Sequence, residues 1–262
     1  MLVLVLLAGW GVGIAVNALA DNLPYRRRPT RSDCPGCGAR RSRLAWSGLM
    51  AAATGQRECA YCGGGAGWRA AVVEGMCVLG AAWLLQRNPQ PASMVRDGLI
   101  LAIYLLIVVI DVEHRLILFA VCVPAALGIG VMRSLDPQHG LAKTLLGGLA
   151  GFVSFYLLYL LGGLLSRWIG QARRQPIEEV AFGFGDVMLA GLIGITVGWP
   201  GVTVALFLGI LAAGLFSLAY ILAMLMRRRY TAFLPIPYGP FLVLGAAAVY
   251  LGGRTAFERL IG

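Results

Sequence analysis

Eight apolar runs occupy most of this chain, at residues 2–20, 70–85, 98–111, 116–132, 141–165, 185–199, 201–226 and 236–251. A helix needs about 20 residues to cross the ~30 Å hydrocarbon layer of a bilayer, and several of these runs reach that length. Inside hydrocarbon every backbone N–H and C=O has to be paired within the protein, which leaves helices and closed barrels as the only spanning structures. The runs are continuously apolar and do not alternate with polar residues, so they fit helices and not barrel strands. The fold class that follows is an all-α polytopic membrane protein with about eight transmembrane helices. Composition agrees. Of the residues 59% are hydrophobic and 13% charged, with a mean hydropathy of +0.78, whereas a soluble domain is nearer half apolar and a quarter charged. The third and sixth runs look short, which we attribute to a polar end on each. The first run has no charged leading segment and is followed by arginines, so it reads as a retained helix rather than a cleaved signal.

Orientation follows from Lys and Arg. With the N-terminus outside, one set of connections holds Arg26, Arg27, Arg28, Arg31, Arg40, Arg41, Arg43, Arg57, Arg69, Arg115, Arg167, Arg173, Arg174, Arg227, Arg228 and Arg229. The other set holds only Arg87, Arg96, Arg133, Lys143, Arg254 and Arg259. Positive connections stay inside, so the first set is expected to be cytoplasmic. The formal net charge of +10 then needs no nucleic-acid partner. Topology and attraction to anionic lipid account for it.

One connection is unlike the rest. Residues 21–69 are long, polar, basic and rich in Gly and Cys. They divide the chain into a first helix (1–20), a cytoplasmic insert (21–69) and a membrane domain (70–262). The insert carries "CPGC" (Cys34, Cys37) and "CAYC" (Cys59, Cys62). Two such pairs about twenty residues apart form a zinc-knuckle pattern, because each tight turn supplies two thiolates and four complete a tetrahedron. Two disulfides would use the same cysteines, but the inferred cytoplasmic side keeps thiols reduced. A closed four-Cys site would be structural and would supply folding free energy to a segment too small to make much core. Cys77 and Cys122 fall inside apolar runs and read as buried cysteines. In the later connection "RWIGQARRQPIEEVAFGF", Gly170 and Pro176 argue against an unbroken helix. Within the fifth run, "GGLAG" (Gly147 to Gly151) has the small-residue spacing of a close helix–helix contact.

Two acids end apolar runs, where ionisable groups are costly and usually functional. Asp111 closes the third run in "LIVVIDVEHRLIL", and Asp186 opens the sixth in "FGFGDVMLA". With the orientation above, both fall near the cytoplasmic surface. Two carboxylates at one depth suggest a catalytic pair in which one activates a water and the other, protonated, polarises a carbonyl. The glycines before Asp186 would let an extended peptide approach. Other roles compete. Asp186 could be the N-cap of its helix, and Asp111 could pair with His114 or Arg115. Glu113 and His114 fit a solvated loop better than a proton relay. An ion-coupled transporter or channel using the same two carboxylates is the alternative of a different class.

These motifs together resemble the bacterial type IV prepilin peptidases, which are membrane aspartic proteases of the GxGD kind. The resemblance rests on "GWGVGIAVNALADNLP" with Gly13, Asn17 and Pro24, on the paired CxxC knuckles, and on "VVEGM" with Glu74. It continues through "DVEHRLIL", "GFGDVMLAGLIGITVGWPG" and "IPYGPFLVLGA". It implies an inner-membrane aspartic endopeptidase that removes the leader of prepilin-like or pseudopilin substrates just after a glycine, on the cytoplasmic face, with Asp111 and Asp186 as the dyad. Relatives with the cysteine segment also methylate the new N-terminus, which implies S-adenosylmethionine as a further cofactor. The chain departs from the family pattern at Leu118 where Pro is usual, at Asn22 where Arg is usual, and at Met188 where Lys is usual.

Overall fold

A computed structural model describes residues 1–25, 37, 39, 47–55, 58–59, 61–63, 68–87, 90–173, 183–227 and 237–261, with the side chains of 167–173 and 253–261 outside that description. Among the described residues the protein is all-helical. Five helices are long and apolar enough to cross a membrane, and three shorter apolar helices accompany them. All eight coincide with the apolar runs of the sequence. The chain forms two compact units, Met1–Ile110 and Asp111–Gly262.

The first unit holds α1 (Leu2–Asn22) with a short 3-10 turn (Leu23–Tyr25), α2 (Gly48–Ala53), α3 (Trp68–Arg87) and most of α4 (Pro91–His114). On α1 the buried residues are Gly9, Gly13, Val16, Asn17 and Ala20. They recur at three and four residues and so form one stripe. That stripe packs on α3 almost backbone to backbone. A Cβ on Gly9 would lie 2.8 Å from Ala81 Cβ, and one on Gly13 only 2.7 Å from Glu74 Cα.

The second unit runs from the last turn of α4 through α5 (Phe119–Ser134), α6 (Gly140–Arg173), α7 (Phe184–Val197), α8 (Gly201–Met226) and α9 (Gly239–Ile261). Helix α7 is its centre. Val187, Leu189, Ala190, Gly191, Leu192, Ile193, Gly194 and Thr196 are all buried, and α5, α6, α8 and α9 pack around it. A helix apolar on every side belongs inside a bundle. The α6–α7 seam is made by glycines. A Cβ on Gly147 would collide with the Gly194 carbonyl oxygen, and one on Gly151 with that of Ala190. The close approach expected from "GGLAG" is therefore present. At the C-terminal end of α7, Arg133 donates from Nε to the Thr196 carbonyl (2.9 Å) and from Nη1 to Asp136 (3.1 Å). It also lies over the Tyr250 ring, 5.5 Å from the centroid, so one side chain ties α5, α7 and α9 together.

One expectation is corrected. The third span is not short: α4 has 24 residues and begins at Pro91. Its first turns include Arg96 and Asp97, paired at 2.9 Å, which broke the apolar run but not the helix. The fifth helix continues through Gly170 to Arg173. One glycine costs a helix about 1 kcal/mol, too little to stop a helix of 34 residues. Pro176 lies outside the described residues.

Candidate active site and cysteine cluster

Asp186 is placed by the start of α7. Gly183 is the N-cap, with extended backbone (φ −80°, ψ 153°), and Phe184 is the first helical residue. Asp186 is therefore the third residue of the helix and not its N-cap, which corrects the capping alternative. Its Oδ2 reaches back to accept the Gly183 N–H at 3.1 Å, and its own N–H donates to the Gly183 carbonyl at 3.1 Å. This is the acidic half of a capping box. It fixes the carboxylate at the mouth of the bundle, where Asp186 is half-buried. The turn is held from both sides. A Cβ on Gly185 would come within 2.8 Å of Ile117 Cβ, so the chain itself occupies the clearance at that glycine. The Phe184 ring stacks on Phe119 (5.7 Å between centroids) and meets Phe152 (6.4 Å) and Tyr159 (5.9 Å) edge-on.

Asp111 sits in the last turn of α4 and is 5% exposed. Its Oδ2 accepts the N–H of Gly239, the first residue of α9, at 3.0 Å in a buried bond. That N–H is one of the donors a helix start leaves without an intrahelical partner. A Cβ on Gly239 would lie 2.6 Å from the same oxygen. The Arg115 N–H donates to the Asp111 carbonyl (2.8 Å), and His114 lies 4.0 Å from Glu113. Asp111 and Tyr238 are the titratable neighbours of Asp186. The end of α4 and the start of α9 thus meet in one buried hydrogen bond, from the Gly239 N–H to Asp111. Sequence reading found both acids but missed Gly239 and Tyr238. The signal was "YGP", since Pro at a helix start marks a first turn whose free N–H groups need partners.

In the insert, the Sγ atoms of Cys37, Cys59 and Cys62 all lie within 4.8 Å of one another. The Cys37 and Cys59 sulfurs are 3.6 Å apart. A disulfide would hold them at about 2.05 Å. Thiolates on a tetrahedral zinc, at Zn–S of about 2.3 Å, stand roughly 3.8 Å apart. The spacing and donor chemistry fit a metal. Cys34, the fourth expected ligand, lies outside the described residues. Cys122 is buried and Cys77 half-buried, in keeping with a packing role.

The fold and these residues describe a polytopic helical membrane protein with an acid in the last turn of α4 and another in the first turn of α7. Residues 98–218 match the type IV leader peptidase family, and both Asp111 and Asp186 fall inside that segment. The chain is 28% identical to the prepilin leader peptidase/N-methyltransferase of Burkholderia pseudomallei (strain 1026b) over 248 residues, 92% of this chain and 74% of the relative. The protein of the same name from Dickeya chrysanthemi is 28% identical over 225 residues, 82% of this chain and 71% of the relative. That from Aeromonas salmonicida (strain A449) is 25% identical over 146 residues, 56% and 45% respectively. No solved structure matches the chain. The resemblance to the bacterial type IV prepilin peptidases that the motifs suggest therefore extends over most of the chain, and residues 98–218 match the type IV leader peptidase family.

Proposed function

We propose that this chain cleaves the leader of type IV prepilin or pseudopilin substrates at the cytoplasmic face of the bacterial inner membrane, and then N-methylates the new terminus. One observation carries the peptidase reading. Asp111 and Asp186 come from the terminal turns of two different helices, inside the segment that matches the leader peptidase family, and Asp111 is among the groups whose charge bears on Asp186. The proposed dyad shares one proton, as two adjoining carboxylates cannot both ionise cheaply. The ionised member takes a proton from water, whose oxygen attacks the scissile carbonyl carbon. The protonated member gives its proton to the carbonyl oxygen. Collapse of the tetrahedral species breaks the C–N bond, the departing amine is protonated, and the pair regains its shared proton. Gly239 holds Asp111 by one oxygen, and the Gly183 N–H holds Asp186 by one oxygen.

On this reading residues 1–20 are the first transmembrane helix, 21–69 the cysteine-rich segment and 70–262 the peptidase domain. The excess of arginine in the insert and its companion connections supports a cytoplasmic location for both the insert and the acidic cluster. Cys34, Cys37, Cys59 and Cys62 would hold a structural zinc, which supplies folding free energy and no open position for chemistry. The relatives' name supports the methylation step, for which S-adenosylmethionine is the implied donor.

The test is co-expression with a prepilin. Asp186→Ala and Asp111→Ala should each abolish leader cleavage while the protein still accumulates in the membrane. Full cleavage by either variant sinks the dyad. Mass measurement of the mature N-terminus, with and without S-adenosylmethionine, tests methylation separately. A transporter reading would favour carboxylates near the bilayer midplane. Asp111 and Asp186 lie in the terminal turns of their helices, which favours the peptidase.

A further inference from the structure

Glu74 lies in the second turn of α3 and is 0% exposed. Its carboxylate accepts hydrogen bonds from Trp10 Nε1 (3.0 Å) and Asn17 Nδ2 (3.4 Å) on α1. On the insert side it accepts from Ser47 Oγ, from the Gly48 N–H (2.7 Å) and from the Leu49 N–H (3.1 Å). Gly48 and Leu49 are the first two residues of α2, and Ser47 is its N-cap. Their N–H groups are among those a helix leaves without an internal partner, and here a carboxylate from a membrane helix satisfies them. The approach is close enough to exclude any side chain at Gly48, whose Cβ would lie 2.6 Å from Ala70 Cβ. Asn17 completes the joint by donating to the Ala70 carbonyl at 3.0 Å. Three helices therefore meet on one buried acid.

The place of this joint in the chain gives it consequence. Ser47–Leu49 falls between the two cysteine pairs, after Cys34 and Cys37 and before Cys59 and Cys62. We propose that Glu74 is a positioning residue for the cysteine cluster: it pins the middle of the insert to the α1–α3 pair, so that two short arms, and not one long loop, deliver the thiolates. Each arm is then closed at smaller entropic cost, and the pair on each arm starts from a fixed point. The proposal rests on the cysteines being metal ligands.

The test uses the full chain in detergent, loaded with zinc, with release followed by a chromophoric chelator and with amide exchange measured on the same samples. Glu74→Ala should release zinc about tenfold faster or more, the equivalent of one such bond lost, and exchange at Gly48 and Leu49 should rise. Glu74→Gln keeps an acceptor oxygen and should fall between. Ser47→Ala, a milder change, should show the same direction and serves if Glu74→Ala does not fold; unchanged protection in α6 and α7 reports that the variant is folded. Unaltered zinc release together with unaltered exchange at Gly48, in either Glu74→Ala or Ser47→Ala, overturns the pin. If the wild-type chain holds no zinc, the metal reading fails and the proposal with it, while the exchange data still report whether Glu74 anchors α2.

Discussion

Asp111 and Asp186 are each aimed by one backbone N–H, and in each case the donor is a glycine. Gly183 can be held by Asp186 because the two share a helical turn. Gly239 reaches Asp111 across 128 residues of sequence. Gly239→Ala would put a methyl group within 2.6 Å of an Asp111 oxygen. Displacing a catalytic group by about 1 Å can cost up to 10²-fold. We therefore expect Gly239→Ala to lower kcat for leader cleavage by about tenfold or more with little change in KM, measured on a prepilin peptide in detergent. Equal activity would separate Gly239 from catalysis. Both acids were legible in the sequence, because a carboxylate at the end of an apolar run is conspicuous against its neighbours. Gly239 was not, because its role is the absence of a side chain and its partner lies far away in the chain.

The helices were legible for the same reason the acids were. Each follows from an apolar run that hydrocarbon obliges to be helical. What escaped was where polar turns extend a helix, as Arg96 and Asp97 do at the start of α4. Also illegible was which glycines a seam requires. The structure sorts them. In α6 and α7, Gly147, Gly151 and Gly194 face backbone of the opposite helix with no room for Cβ, whereas Gly214 in α8 has nothing within 4 Å. Gly194→Val should therefore destabilise by about 3 kcal/mol, at the upper end for overpacking, and lower the unfolding temperature in detergent. Gly214→Ala should stabilise by up to about 1 kcal/mol through helix propensity. If the two variants unfold alike, the seam is not held by close contact.

At the scale of the whole molecule, orientation is the property most open to direct test. Fusions of a reporter that fluoresces only in the cytoplasm should be bright after Cys62 and dark after Asp136, and an exported phosphatase should give the reverse. The charge bias supplies the sign of that result. The cysteine cluster offers a second test. The purified chain should carry about one zinc, and Cys59→Ser should lose it. Three of the four thiols were gathered by the fold as their CxxC spacing suggests. The joint at Glu74 was beyond the sequence, since "VVEGM" shows an acid in an apolar stretch but not the insert helix it caps.

The brevity of α7 has its own outcome. Its 14 residues rise about 21 Å, some 9 Å less than the ~30 Å of hydrocarbon it must cross. Polar ground makes up the difference, with Arg133 against Thr196 at one end and Asp186 at the other. On the proposed function, this shortness would bring the aqueous phase in to Asp186. Water, the second substrate of the proposed hydrolysis, would then have no lipid to traverse.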